Sequence, residues 1–535
     1  MHAPAAPNPA NGTWRVGGGR SWYLLVLLTL TSAVSLLDRQ IITILAVDIK
    51  RDLGLNDSQI GLLYGTFFAI FNSLFSLPLG RLADDWVRIR QVALSLVSWS
   101  LATAACAFAT GFASLGLART AVAIGEAGSA PASSSLIGDV FPPGLRGTVF
   151  AISALAAVIG IAMSSALGGI VVDRWNAAFP GGHGWFGLVG WQAAFIVASL
   201  PGLLLALLVS LMRDPPRGLA DGIASPSEPR PFVRAMSELL PLLPGLSLIH
   251  LRRLGAPASA VRRNLMLLGA TITGVALLIA ISARFGGGAL SSHIIQWAVV
   301  GFGTFALLSW IQAQRLSDGP AAKVMWGSPT FISILAIAAL NNVIIYGVMA
   351  WIAPFAVTKY QASLSEIGLR IATAGMTAGV IGTLAGGWIA DRARRLHPSG
   401  RLWVVLAATV LPVPLAWMTF TAETIEGWSF WFLALSLLLT PWLPCVMATA
   451  QDLVLPRMRG TTTALVMLVI NIFGMGTGPY LVGLVSDATG DLGRSILSVF
   501  LFAPLIWIAC LIGIRMIGRD EETLISRARA VGEAI

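Results

Sequence analysis

Four ionisable residues interrupt otherwise apolar stretches of this sequence. Asp38 and Arg39 lie in the first long apolar run, and Arg119 and Glu126 lie in a later one. An uncompensated charge at the middle of a bilayer costs at least about 2.5 kcal/mol on insertion scales, and such residues are functional by default. They predict a buried charge network in which desolvation and a nearby arginine act in opposite directions on the proton affinity of a carboxylate.

Helical spacing places these residues at compatible depths. Asp38 lies nine residues before the end of its run, and Arg119 lies seven residues after the start of its own. At 1.5 Å per residue, both lie roughly 10 to 14 Å below the same membrane surface, and Glu126 lies about 10 Å deeper on nearly the same helix face as Arg119. These depths allow Arg119 and Asp38 to pair, and we predict that the two form a charge network while Glu126 is the protonatable carboxylate. A static ion pair that only fixes the packing is the alternative.

The elements that carry these residues are membrane helices. Of the 535 residues, 56% are hydrophobic and 11% are charged, whereas a soluble domain has about 25% charged residues. Runs long enough to cross a hydrocarbon core of about 30 Å recur along the chain. We predict an all-α membrane protein with about fourteen transmembrane helices, at 22–47, 59–79, 91–110, 112–140, 148–172, 190–212, 264–283, 293–312, 329–358, 367–390, 402–421, 427–450, 461–486 and 495–517.

The distribution of basic residues predicts the orientation. With the N-terminus inside, the inner segments hold 26 of the 35 Lys and Arg residues and the outer segments hold six. Cationic loops stay in the cytoplasm, so both termini are predicted to be cytoplasmic and the chain to lie in the cell inner membrane. Residues 1–20 form a disordered cytoplasmic tail and residues 518–535 a second tail. The charge of +10 is explained by anionic lipid rather than nucleic acid.

An internal repeat divides the chain. Gly80-Arg-Leu-Ala-Asp84 is matched by Gly387-Trp-Ile-Ala-Asp391 at an offset of 307, and Asp139 is matched by Asp452 at an offset of 313. Two parallel repeats predict pseudo-symmetric six-helix bundles, at 21–212 and 327–517. Between them we expect a cytoplasmic linker at 213–263 and two inserted helices at 264–326. The linker contains an amphipathic segment, which either lies on the inner leaflet or binds a partner.

The repeated loops also predict a conformational latch. Arginines beside an Asp at a helix end can bind exposed carbonyls and pair with acidic groups on a neighbouring helix. Positive-inside topology alone explains the arginines but not an Asp at the same place in both repeats. The candidate latch residues are Gly80, Asp84, Arg88, Asp139 and Arg146 in the first half, and Asp391, Arg392, Asp452 and Arg459 in the second.

These motifs carry a family resemblance. The loop from Gly80 to Arg90 resembles that of the major facilitator superfamily, and Asp38-Arg39 with the run from Arg119 to Pro131 is similar to its spinster-like group. The resemblance implies alternating access, with the first and fourth helices lining a central cavity. The superfamily plan places the opposite wall on the seventh and tenth helices, where Asn341, Asn342, Tyr346 and Trp442 are polar or aromatic. Their aromatic members could instead be interface anchors.

The function expected from these observations is secondary active transport of a small organic solute, amphipathic or anionic, driven by protons. No nucleophile with a base, nucleotide-binding loop or metal-binding motif occurs in the sequence, so we expect no enzyme activity, cofactor or metal. A receptor or regulator with the same fold remains the alternative. The expected partners are a small-molecule substrate, protons and membrane lipid, with no nucleic acid, and the chain is expected to be a monomer.

Overall fold

The computed structural model describes residues 14–180, 182–220, 229–317, 319–455 and 458–530, so residues 1–13 of the predicted tail and most of the polar stretch at 221–229 lie outside the described residues. No strand occurs in the described part. Backbone groups in lipid must be paired within the segment, which leaves helices as the available structure for runs of this composition. The first helices are α1 (Gly19–Leu53), α2 (Asp57–Gly61), α3 (Phe67–Asp85), α4 (Arg88–Cys106), α5 (Phe112–Glu126), α6 (Ser129–Val140), α7 (Pro143–Ala178) and α8 (Gly190–Ser210).

The fourth predicted span is divided into two helices. The α5 helix ends at Glu126, and α6 begins at Ser129 after a turn at Ala127 and Gly128. The Gln91 amide nitrogen stabilises this break by donating to the Gly128 carbonyl oxygen at 3.1 Å and to the Leu79 carbonyl oxygen at 2.7 Å. The break therefore lies directly beside one of the four membrane-embedded ionisable residues.

The middle of the chain contains short helices followed by two long ones. The two long helices are connected by Gly286, Gly287, Gly288 and Ala289. Only 6% of the most apolar stretch of α11 is buried, compared with 50% of that of α12. The helices are α9 (Pro231–Ser237), α10 (Leu246–Arg253), α11 (Ala258–Phe285), α12 (Leu290–Ser317) and α13 (Gly319–Trp326).

The last part of the chain repeats the long-helix pattern. It contains α14 (Pro329–Tyr360), α15 (Leu364–Thr377), α16 (Thr383–Leu396), α17 (Gly400–Val410), α18 (Pro412–Thr421), α19 (Ile425–Leu439), α20 (Trp442–Asp452), α21 (Arg459–Val469), α22 (Gly478–Thr489), α23 (Leu492–Ser498), α24 (Ala503–Glu522) and α25 (Leu524–Ala530).

In the described part of the chain, three π-helical segments interrupt these helices. They are Leu62–Thr66 between α2 and α3, Ala378–Gly382 between α15 and α16, and Ile470–Met475 between α21 and α22. The first two occupy the second span of each repeated half, so the bulge is repeated along with the loop motif. Single-turn π-bulges are frequent at functional sites.

The predicted fold class is confirmed: within the described residues, thirteen helical segments are long and apolar enough to cross a bilayer. The difference from fourteen arises because neither α5 nor α6 is long enough by itself. The chain is a multi-pass membrane protein. It folds as two compact units, one of residues 1–45 and 74–239 and the other of residues 46–73 and 240–535. The boundaries of the two six-helix bundles, the linker and the inserted helices that were inferred from the sequence stay predictions.

Candidate functional site

Glu126 is held by two side chains of α1. The Arg39 guanidinium lies 3.2 Å from its carboxylate, and the Ser35 hydroxyl donates to the other carboxylate oxygen. Glu126 is 4% exposed and is the last residue of α5, where the helix dipole is negative and disfavours a carboxylate. Arg39 offsets this repulsion, so the pair is the charged contact between α1 and α5.

Arg119 is fully buried and binds the main chain of α1. Its two terminal nitrogens donate to the carbonyl oxygens of Asp38 and Arg39, each at 3.0 Å. Arg119 therefore lies level with residues 38 and 39 of α1. Close approach of α5 to α4 is possible because position 125 is glycine, where a Cβ atom would lie 2.8 Å from the Trp99 nitrogen.

The Asp38 carboxylate is fully buried, and within the described residues neither of its oxygens has a hydrogen bond of normal geometry. The Trp99 indole and the Thr103 hydroxyl are placed to donate to it, and its charged neighbours are Arg119 and Glu126. Arg119 thus lies beside Asp38 while its own hydrogen bonds go to carbonyl oxygens, and Glu126 pairs with Arg39. The charge network of Arg119 and Asp38 stays a prediction.

The predicted polar wall lies in the second unit. Asn341 and Asn342 on α14 and Trp442 at the start of α20 are buried, with 2%, 4% and 4% exposure. The Asn342 amide nitrogen donates to the Ala338 carbonyl oxygen at 2.8 Å, whereas that of Asn341 has no hydrogen-bond partner among the described residues. Tyr346 is half-buried on the same helix. The Asn341 amide nitrogen is therefore a buried donor without a partner in the described part of the chain.

The first latch is centred on Arg88 at the start of α4. Its side chain, 1% exposed, contacts Asp139 and lies 3.0 Å from the Asp214 carboxylate, while the Arg88 main-chain nitrogen donates to Asp214 at 2.6 Å. Asp214 was not among the predicted residues, although it directly follows the sixth span. Asp84 is exposed and lies 4.0 Å from Arg81, and the side chain of Arg146 lies outside the described residues.

The latch glycines have no close contact that requires a glycine. A Cβ atom at Gly80 would lie 3.7 Å from the nearest atom of Pro131, an ordinary van der Waals distance, and one at Gly387 would meet nothing within 4 Å. The helix end beside Gly80 is capped instead by Arg217, whose guanidinium donates to the carbonyl oxygens of Ala83 and Trp86 at 2.8 and 2.6 Å.

The second latch uses a different arginine from those predicted. Arg401 bridges the two predicted acids, at 2.6 Å from Asp452 and 3.2 Å from Asp391. Arg392 and Arg459 are exposed, and neither forms an ion pair within the described ranges. A further ion pair joins Arg394 on α16 to Glu521 on α24, at 2.7 and 2.8 Å.

A cluster of acids at the other end of the second unit was missed by the sequence analysis. The Asp487 carboxylate on α22 accepts hydrogen bonds from the main-chain nitrogens of Asp57 and Ser58 at 2.8 and 2.9 Å. Ser486 donates to the Asp57 carboxylate at 2.6 Å, and Lys50 pairs with the same group. The available signal was the repeat itself, because Gly169 to Asp173 recurs as Gly483 to Asp487.

A cavity of about 510 Å³ lies beside this cluster. Its charged lining residues are Lys50, Arg51, Asp57 and Asp487. Lys50 is paired with Asp57, and Arg51 lies 2.8 Å from Asp48. Both basic side chains of the cavity are therefore already paired with an aspartate.

Comparison with curated proteins shows likeness to membrane transporters. The chain is 26% identical over 518 residues to an MFS-type efflux pump of Mycolicibacterium smegmatis, covering 95% of this chain and 96% of that protein. It is 29% identical over 189 residues to the hexuronate transporter of Bacillus subtilis, of which it covers 40%. It is 26% identical over 223 residues to the protein spinster of Drosophila melanogaster, covering 41% of this chain and 34% of that protein.

Solved structures show the same fold. A bacterial homolog of the human lysosomal transporter spinster, inward-facing and unoccupied, aligns with a TM-score of 0.69 and 22% identity over 94% of this chain and 98% of that one. A peptide transporter in complex with sulfate aligns with a TM-score of 0.63 and 16% identity over 94% and 96%. The resemblance to the spinster-like group is thereby confirmed. The model of the Major Facilitator Superfamily matches residues 28–479, and the chain belongs to that superfamily.

Proposed function

We propose that this protein is a secondary active transporter that moves a small anionic or amphipathic organic solute by alternating access, coupled to protons. The observation that carries the proposal is the group of two carboxylates and two guanidiniums on α1 and α5, of which Asp38, Arg119 and Glu126 are buried and Arg39 is partly buried. A structural ion pair accounts for Arg39 and Glu126. It does not account for Asp38, whose buried carboxylate lies near Arg119 and Glu126 without a hydrogen bond of normal geometry among the described residues.

The group can change its net charge by binding one proton. With both acids ionised, the two guanidiniums are balanced. With a proton on Asp38 or on Glu126, the group carries one net positive charge in a medium that favours pairing with an anion. Glu126 was the carboxylate predicted to carry the proton. Arg39 and Ser35 are partners of the Glu126 carboxylate and stabilise its ionised form. We therefore propose that Asp38 is a second candidate for the residue that accepts the proton.

The names of several relatives support an anionic solute. They include a hexuronate transporter, a putative tartrate transporter and a probable galactarate/D-glucarate transporter, as well as the sphingosine-1-phosphate transporter of Danio rerio. These molecules share an acidic group that Arg39 could bind in exchange for Glu126.

The test is proton movement in proteoliposomes that contain a pH-sensitive dye. Hexuronate, tartrate and sphingosine-1-phosphate are added in turn, with and without an imposed pH gradient. We expect at least one of them to produce a proton flux, and we expect Asp38→Asn and Glu126→Gln to abolish it while the proteins remain inserted. Glu366→Gln, which alters an exposed pair with Arg370, is the control and should transport normally.

Solute uptake that is insensitive to the pH gradient would overturn proton coupling. If thermal shift on the purified protein detected binding of a solute that is never transported, the receptor alternative would replace the proposal, because a bound ligand stabilises the folded state whether or not it is moved.

A further inference from the structure

The inserted helix α12 places a buried amide between two other helices. Gln296 is fully buried, and its amide nitrogen donates to the Gly476 carbonyl oxygen at 2.8 Å. Its amide oxygen accepts a hydrogen bond from the Thr66 hydroxyl, which also lies 2.8 Å from the Gly476 oxygen. Thr66 ends the π-helical segment after α2, and Gly476 lies in the break before α22. One side chain therefore joins three segments of the second unit.

This arrangement is favourable only while the segments stay together. A buried amide without hydrogen bonds is costly in an apolar medium. If Thr66 and Gly476 separated, Gln296 would lose the partner of its oxygen or of its nitrogen. The insert therefore favours the state in which the helix carrying Thr66 contacts α22.

The connection between α11 and α12 lies against the same contact. The Gly287 nitrogen donates to the Leu484 carbonyl oxygen at 3.2 Å, and a Cβ atom at Gly287 would lie 2.2 Å from the Asp487 main chain. Gly288 has a positive φ of 98°, and a Cβ atom there would lie 2.8 Å from the Ser58 hydroxyl. The glycines let the connection cover the site where Asp487 caps α2.

The insert also contacts α22 through aromatic side chains. His293 lies 2.6 Å from the Tyr480 hydroxyl, and the rings of Trp297 and Tyr480 are 5.9 Å apart in edge-on contact. Trp297 also donates to Ser282 at 2.7 Å, which ties α12 to α11. On its other side α12 packs against α3, where a Cβ atom at Gly303 would lie 2.8 Å from the Ile70 side chain.

We infer that the two inserted helices are a clamp that stabilises the closed state of the end carrying Ser58 and Asp487, and that Gln296 is its central residue. The inference rests on the proposed alternating access, since a clamp has a function only if this end opens. Opening would separate Thr66 from Gly476, so Gln296 would lose one of its two partners. The clamp thus sets how often the end opens.

The test measures opening without any solute. Ser58→Cys places a thiol at a fully buried position under Gly288, and the native Cys106, Cys445 and Cys510 are all buried. The alkylation rate by a membrane-impermeant maleimide then follows the population of the open state. In this background we compare Gln296→Leu with Asn264→Leu. Asn264 is 1% exposed, and its partners are Ser247, Ser309 and Gln312, on α10 and α12.

We expect Gln296→Leu to increase the alkylation rate about threefold or more, the effect of losing one interhelical hydrogen bond in a membrane. Asn264→Leu should leave the rate unchanged. Thr66→Val removes the partner hydroxyl with almost no change in shape, and it should act in the same direction if Gln296→Leu does not fold.

Two other outcomes would contradict the clamp, and only the second would also contradict alternating access at this end. A measurable rate that Gln296→Leu and Thr66→Val do not change, or that Asn264→Leu raises equally, would overturn the clamp and leave the proposed function intact. A thiol at position 58 that never reacts, with any solute, pH or variant, would overturn alternating access at this end and the clamp with it.

Discussion

Arg88 shows how a single residue can hold a helix end in a membrane protein. Its guanidinium reaches Asp139, Asp214, the Ser135 hydroxyl and the Pro215 carbonyl oxygen. A planar fork of donors can serve several acceptors at once, which an ammonium group cannot. Because the residue is fully buried, the acids around it would be left without compensation if it were removed.

Replacement of Arg88 is expected to destabilise the folded protein. Arg88→Ala is expected to lower the stability of the folded protein by about 3 kcal/mol or more, the cost of breaking a buried pair by removing one partner. Arg88→Lys should cost less, because it keeps the charge. The measurement is the temperature at which the detergent-solubilised protein loses its monodisperse peak. Arg90→Ala, two residues away and exposed, is the control, and an equal loss for this variant would contradict the role of Arg88.

Some of these residues could be predicted from the sequence and others could not. The depth of Arg119 followed from helical rise, but its partners did not, because spacing does not distinguish a carboxylate from the carbonyl oxygens beside it. Arg401 could have been found from the repeat. Arg88 precedes Arg401 by 313 residues, and Asp139 precedes Asp452 by the same number. The motif offset of 307 aligns Arg88 with Arg395 and concealed this match, because the second loop is six residues longer.

At the scale of elements, glycines bring α2 and α22 into backbone contact. A Cβ atom at Gly61 would lie 2.6 Å from the Pro479 carbonyl oxygen, and one at Gly483 would lie 2.4 Å from that of Asp57. Small residues permit close packing where the hydrophobic effect does not drive helices together. The helices themselves were predictable from their apolar runs, whereas this pairing requires contacts across more than 400 residues of chain, such as that of Asp57 with Asp487.

A single methyl group should therefore disrupt this contact. Gly483→Ala is expected to destabilise the protein by about 1 to 3 kcal/mol, the usual cost of overpacking. Gly269→Ala on α11 meets nothing within 4 Å and should be neutral or slightly stabilising. Thermal unfolding of both variants in the same detergent gives the comparison, and similar midpoints would show that the α2 contact adapts to the added atom.

For the whole molecule, the predicted orientation can be tested with two exposed positions. Phe186 is 98% exposed in a predicted outer loop, and Leu396 is 82% exposed in a predicted cytoplasmic one. We expect Phe186→Cys to react with an impermeant maleimide in intact cells, and Leu396→Cys to react only after permeabilisation. The reverse pattern would invert the topology inferred from the distribution of Lys and Arg. The number of spans was predictable to within one, and the break after Glu126 accounts for the difference.

That break has a mechanical consequence. Three residues after Glu126 the chain enters α6, and near the far end of this helix Asp139 contacts Arg88. A twelve-residue helix is stiff, while the turn before it is short and carries a glycine. If Glu126 takes up a proton as proposed, we expect a change at this turn to tilt α6 and to alter the Arg88 contact about three turns away.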